Sequence, residues 1–230
     1  MSDIFGNVSP LNRYTTTTKD SSTNMITGKE ALERLMEGNR QFVAGQYREQ
    51  EMSAEQRSQM AASQSPFAII LGCSDSRVPV EVIFNQGFGD LFVIRVAGNI
   101  VAPSQIGSIE FAAEAFGTPL VVVLGHSNCG AVKATLDTLR NPSGNQSRNL
   151  RSIVDRVRPA VAALISTDLA NDADKLTAAA VRSNVCVAAG SLRHGSEILE
   201  QLVQSGKLLV VGAEYSLETG EVTFFDGLPE

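Results

Sequence analysis

Four short apolar runs punctuate the chain: Phe67 to Leu71, Leu91 to Val96, Leu120 to Leu124 and Leu208 to Val211. Each is bounded by Gly, Pro or polar residues. Near-continuous apolar runs of this length fit strands buried on both faces, as in parallel sheets. Between them apolar residues recur at helical spacing. Ile106, Ile109, Ala113 and Phe116 form one stripe, Ile153, Val154, Val157, Val161 and Leu164 a second, and Leu192, Ile198, Leu199 and Leu202 a third. Upstream, Thr27 and Glu30 fit a capping box that opens a helix carrying Leu32, Leu35, Met36, Phe42 and Val43. A more polar helix is expected over Ser53 to Ala62. Val222 to Phe225, after a turn at Thr219-Gly220, suits an antiparallel edge strand.

Strand–helix alternation predicts an α/β fold: a single domain with a mainly parallel central sheet, about four parallel strands plus an edge strand, flanked by helices and preceded by an N-terminal helical arm. Residues 1–24, rich in Ser, Thr, Asn and Asp, read as a mobile arm, and residues 25–230 as the domain. Residues 141–149 read as a loop.

Composition narrows the function. The 230 residues carry a net charge of −6, and no basic run stands out, so neither nucleic acid nor an anionic membrane is the expected partner. No run approaches the roughly 20 apolar residues of a membrane span. The first 25 residues contain no apolar signal-peptide core, and a soluble cytoplasmic protein is expected. The cysteines are Cys73, Cys129 and Cys186, an odd set for a disulfide framework; the histidines are His126 and His194. Cys186, in the apolar stretch Val185-Cys186-Val187, is expected to be a buried small residue.

Two polar clusters directly follow apolar strands: Gly72-Cys73-Ser74-Asp75-Ser76-Arg77 and Gly125-His126-Ser127-Asn128-Cys129-Gly130. Ligands of open α/β sheets bind at such strand ends. Cys73, His126 and Cys129 make a Cys2His set suited to zinc, and three protein ligands leave one position for water. Asp75 faces the same way as Cys73 in an extended segment. Arg77 can hold its carboxylate so that it orients the metal's water; alternatively Asp75 takes the fourth metal position itself.

The strings Cys73-Ser74-Asp75-Ser76-Arg77-Val78 and His126-Ser127-Asn128-Cys129-Gly130-Ala131 resemble the two signature motifs of the β-class carbonic anhydrases. Gly89 to Arg95, Ala97-Gly98-Asn99 and Gly212-Ala213-Glu214-Tyr215 are similar to that family too, and the likeness runs from about residue 27 to 226. The resemblance implies one zinc per chain held by Cys73, His126 and Cys129, with Asp75 and Arg77 as the catalytic dyad. It also implies reversible hydration of carbon dioxide to bicarbonate and a proton, by attack of zinc-bound hydroxide. Gln86 and Gly130 are expected at the substrate. A homodimer or homotetramer with interfacial sites is implied. One subgroup uses a tryptophan in a regulatory bicarbonate pocket; this chain has no Trp, which favours a water-bound zinc. Two thiolates neutralise much of the metal charge, so turnover is expected to rise on the alkaline side of neutral.

Rival functions are a zinc hydrolase acting on another small linear molecule, such as a carbon–sulfur compound, and a non-catalytic zinc-bearing interaction protein. Metal-free thiol catalysis by Cys73 fits less well: only Ser74, Asp75 and Ser76 separate it from Arg77, too few for a phosphatase-type loop. His194 reads as a helix-surface residue.

Overall fold

The computed structural model describes residues 26–47, 52–141 and 147–229. The arm assigned to residues 1–24 and most of the loop assigned to residues 141–149 lie outside the described residues. Helix α1 (Gly28–Val43) starts as its sequence requires: the Thr27 hydroxyl accepts from the Glu30 N–H at 3.2 Å, and the Glu30 carboxylate accepts from the Thr27 N–H at 2.7 Å. Leu32 and Leu35 are buried, whereas Met36 and Val43 of the same stripe remain exposed. Helix α2 (Ala54–Met60) has its own capping box, Ser53 with Gln56, and buries none of its residues.

Then follow β1 (Ala68–Gly72), α3 (Val80–Ile83), β2 (Leu91–Arg95), α4 (Pro103–Ala115), β3 (Leu120–His126), α5 (Gly130–Arg140), α6 (Arg148–Val161), α7 (Ala173–His194), α8 (Glu197–Gln204), β4 (Leu209–Tyr215) and β5 (Val222–Asp226). The sheet order is β2-β1-β3-β4-β5. Strands β1 to β4 pair in parallel, and β5 closes one edge antiparallel to β4. The expected architecture of four parallel strands and an edge strand is therefore present.

Strand pleating sorts the core into two layers. Ile70, Val122, Leu124 and Val211 face α1 and α3, and Ile69, Leu71, Val121, Val123 and Val210 face α4, α7 and α8. All residues of β1 and β3 are buried. The apolar run at β2 departs from expectation. It forms the other sheet edge, its residues are half-buried or exposed, and its aromatic Phe92 packs against Phe111 and Phe116. The third predicted stripe is also divided. Helix α7 stops at Gly195, where an added Cβ would lie 2.4 Å from the Ser191 carbonyl oxygen, and Ser196 caps α8 by accepting from the Leu199 N–H. Cys186 is a correction: it sits on the exposed side of α7, because its neighbours Val185 and Ala189 take the core-facing positions. A third apolar cluster, from α5, α6 and α7, covers the carboxyl ends of β1 and β3 and includes Cys73 and Cys129.

Candidate metal centre

Parallel register brings the two polar clusters together. Gly72, the last residue of β1, lies opposite Leu124 in β3, so Cys73 emerges beside the strand that ends at His126. The chain then turns through Asn128, left-handed at φ 58°, a conformation asparagine tolerates better than most residues. Cys129 follows as the N-cap of α5. The sulfurs of Cys73 and Cys129 and a ring nitrogen of His126 all lie within 4.8 Å of one another. All three residues are buried, with exposures of 4%, 1% and 0%.

Hydrogen bonds orient these donors. His126 Nδ1 lies 2.9 Å from the Ser127 carbonyl oxygen, which can only accept, so the proton is assigned to Nδ1 and the lone pair to Nε2. Nε2 is wholly buried and has no hydrogen-bond partner. A buried acceptor in that state costs about 1–3 kcal/mol, and a cation between it and the two sulfurs would satisfy it. The Gly98 N–H donates to Cys73 Sγ at 3.3 Å. The Cys73 thiol is held below its ordinary value, chiefly by a hydrogen bond from the Cys129 thiol, with His126 and the Gly98 N–H adding to it against the cost of burial. Cys129 is pushed upward by that same hydrogen bond and by burial. The two sulfurs are thus close enough to interact directly. Thiolate is the metal-binding form, and a cation between the two buried sulfurs would favour it. Two sulfurs and one imidazole nitrogen fit zinc in kind and number.

Beside the cluster, Asp75 Oδ1 accepts from the Arg77 main-chain N–H at 3.0 Å and from Arg77 Nε at 2.9 Å, and Oδ2 accepts from Arg77 Nη2 at 2.8 Å. These bonds, the guanidinium's first, hold the Asp75 carboxyl well below the usual carboxylate range. Oδ2 also lies 3.9 Å from His126 Nε2. The main chain here is pinned by Arg95, which donates to the carbonyl oxygens of Cys73 (3.0 Å) and Asp75. Sequence reasoning assigned no task to Arg95 or Gly98. The Gly98 contact is made by its main chain and leaves no side-chain signal.

The structure does not bring Gln86 to this cluster. Its side chain is buried, accepts from Arg34 Nε at 3.0 Å and donates to the Phe84 carbonyl oxygen at 2.7 Å. It lines a cleft of about 450 Å³ with Arg34, Gln41, Tyr47 and Asn85, and none of Cys73, His126 and Cys129 lines that cleft. Gly130 is exposed in the first turn of α5, with open space where a Cβ would stand. His194, at the end of α7, is largely exposed and 4.0 Å from Glu200. No helix of the described residues is long and apolar enough to cross a membrane.

Comparison with known proteins gives one answer. A family model described as carbonic anhydrase matches residues 68–222. Carbonic anhydrase 2 of Mycobacterium tuberculosis is 38% identical over 199 residues, covering 85% of this chain and 92% of that protein. The carbonic anhydrase of Mycolicibacterium smegmatis is 39% identical over 195 residues, covering 84% and 90%. Among solved structures, the β-carbonic anhydrase CcaA has a TM-score of 0.68 at 28% identity, covering 85% of this chain and 95% of that one. Tetrameric β-carbonic anhydrases of Sordaria macrospora give a TM-score of 0.64 at 25% identity, over 74% and 85%.

Proposed function

The chain belongs to the β-class carbonic anhydrases, and from that premise we propose how its own residues serve the zinc-dependent, reversible hydration of carbon dioxide to bicarbonate. Cys73, His126 and Cys129 hold the zinc. The observation that carries this assignment is the convergence of their donor atoms within 4.8 Å, with His126 Nε2 buried and otherwise unpartnered. When bound, zinc supplies the Lewis acidity that makes a water molecule nucleophilic toward carbon dioxide near neutral pH.

Asp75 orients that water. Ionised, it can only accept hydrogen bonds. Its Oδ1 already takes two from Arg77, whereas Oδ2 takes one and lies on the side of His126. Oδ2 therefore keeps acceptor capacity directed at the cluster, and a proton donated to it fixes the direction of the water's lone pair. Arg77 keeps the carboxylate charged and immobile. Its hold on both oxygens favours a fourth metal position left for solvent over one filled by Asp75. Gly130, without a side chain at the start of α5, leaves room for a small linear substrate. Gln86, expected at the substrate, stands away from this chain's own three donors, its amide accepting from Arg34 and donating to the Phe84 carbonyl oxygen.

A cytoplasmic homo-oligomer is the corresponding reading of the protein's setting. It is supported by the acidic composition, the thiol-rich site, the half-exposed β2 edge and the tetrameric Sordaria relatives. Stopped-flow carbon dioxide hydration, run with zinc quantification, tests the function. One zinc per chain and activity abolished by chelation are expected. Faster turnover of a carbon–sulfur substrate would favour a different hydrolase on this scaffold, and zinc without activity at any pH would favour an interaction protein.

A further inference from the structure

Between β2 and α4 the chain tightens into one 3-10 turn, Ala97–Asn99, in which Gly98 (φ 70°) and Asn99 (φ 42°) are both left-handed. Gly98 works in two directions. Its N–H donates to Cys73 Sγ at 3.3 Å, and its carbonyl oxygen accepts from Asn184 Nδ2 at 2.8 Å. Asn184 lies within α7, is 3% exposed, and comes from a helix packed along β3 and β4. A buried amide among apolar neighbours is costly unless its hydrogen bonds are made, and an aliphatic side chain would fill the same space without that cost. The turn also sits close against α5: a Cβ at Gly98 would stand 3.1 Å from Ala131 Cβ.

We propose that Asn184 is a positioning residue for the metal ligand Cys73: by gripping the Gly98 carbonyl it fixes the turn that aims the Gly98 N–H at the Cys73 sulfur. That hydrogen bond withdraws charge from the thiolate and sets its direction, so Asn184 tunes how strongly Cys73 donates to the cation without touching it. Partners of this kind, one step removed from the metal, typically alter metal affinity about 10–100-fold when removed. The proposal rests on the assignment of Cys73 as a zinc ligand.

The test uses the full chain and the variant Asn184→Leu, which fills the site but cannot donate. Zinc affinity is measured by chelator competition, and the sulfur-to-metal charge-transfer band is recorded after cobalt(II) replaces zinc. Expected are a loss of affinity of about 10–100-fold and a band moved to longer wavelength, as the sulfur regains charge. Should Asn184→Leu not fold, Asn184→Ser, too short to reach the Gly98 carbonyl, carries the same measurements. A folded variant that binds zinc as tightly as the wild type, with an unmoved band, would overturn the inference while leaving Cys73 a ligand. A wild-type protein showing no sulfur-to-cobalt band would overturn the ligand assignment itself, and this inference with it.

Discussion

Replacing Asp75 by Asn separates the catalytic reading from a plain ion pair in a turn. The substitution keeps the shape of the side chain and one oxygen able to accept from the Arg77 N–H, but it removes the charge. The stability cost follows from exposure: the Arg77 side chain is 57% accessible and that of Asp75 18%. A pair so open to water contributes at most about 1 kcal/mol, which for a chain of this size lowers the melting temperature by roughly 2–4 °C. The catalytic cost is set differently. Loss of an orienting partner beside a metal centre typically costs about 10–100-fold, equivalent to about 1.4–2.7 kcal/mol of barrier. Asp75→Asn should therefore stay folded, retain its zinc and lose activity well beyond its loss of stability. The pH dependence has a definite sign. Because the folded carboxyl is held below its ordinary value, its stabilising contribution is present above the unfolded pKa of about 3.9 and disappears only as pH falls through the depressed folded value. The stability gap between the two proteins should thus be constant from neutrality to moderate acid and close in strong acid. Thermal melts across pH, stopped-flow kcat/KM and zinc content supply the readouts. A zinc-loaded variant with wild-type kcat/KM would reduce Asp75 to a turn residue.

Other consequences concern the scaffold. Asn39 donates to the carbonyl oxygens of Ile83 and Gly220 and accepts from the Val222 N–H, joining α1 to α3 and β5. With each orphaned group costing about 1–3 kcal/mol, Asn39→Ala should lower stability by about 3 kcal/mol in urea titration, and an unchanged midpoint would contradict this. A Cβ at Gly38 would come within 1.9 Å of the Phe84 carbonyl oxygen, a main-chain clash that should place Gly38→Ala at or above the top of the usual overpacking range of about 1–3 kcal/mol; a wild-type melt would refute it. Burial raises the Glu214 carboxyl against the opposing pull of Arg182. Its raised folded pKa favours the protonated form, so the benefit is complete below the unfolded pKa and is lost as pH rises through the folded value. Glu214→Gln should consequently stabilise the fold more at neutral pH than near pH 4, and equal effects at both would show that Arg182 offsets burial.

Local patterns carried much of this structure. Strands β1 and β3 are continuous apolar runs because helices cover both their faces, and the capping pairs at Thr27 and Ser53 are short-range signals that the chain obeys. Less was legible where tertiary context decides. Leu91 to Val96 has the texture of an inner strand yet lies at an edge of the sheet, since apolar content alone does not say which strands find two neighbours. The stripe through Leu192 and Leu199 kept its periodicity across a helix break at Gly195, and Cys186 looked buried because helical phase, not the apolarity of Val185 and Val187, selects the inward residues. At the site, Cys73, Asp75, Arg77, His126 and Cys129 declare themselves by residue type and spacing. Gln86 was suggested by the family resemblance, and its side chain lies with Arg34 and Phe84 rather than beside this chain's Cys73, His126 and Cys129. The supports Arg95, Gly98 and Asn184 act through main-chain atoms or across long sequence distances, so their side-chain identities gave no comparable signal.

Zinc-edge X-ray absorption on the purified protein, beside the Cys73→Ser variant, addresses the central assignment most directly. The wild type should show two sulfurs, one imidazole nitrogen and one light ligand around a single zinc per chain, and Cys73→Ser should lose one of the sulfurs. A wild-type spectrum free of sulfur, or one that Cys73→Ser leaves unchanged, would contradict the account.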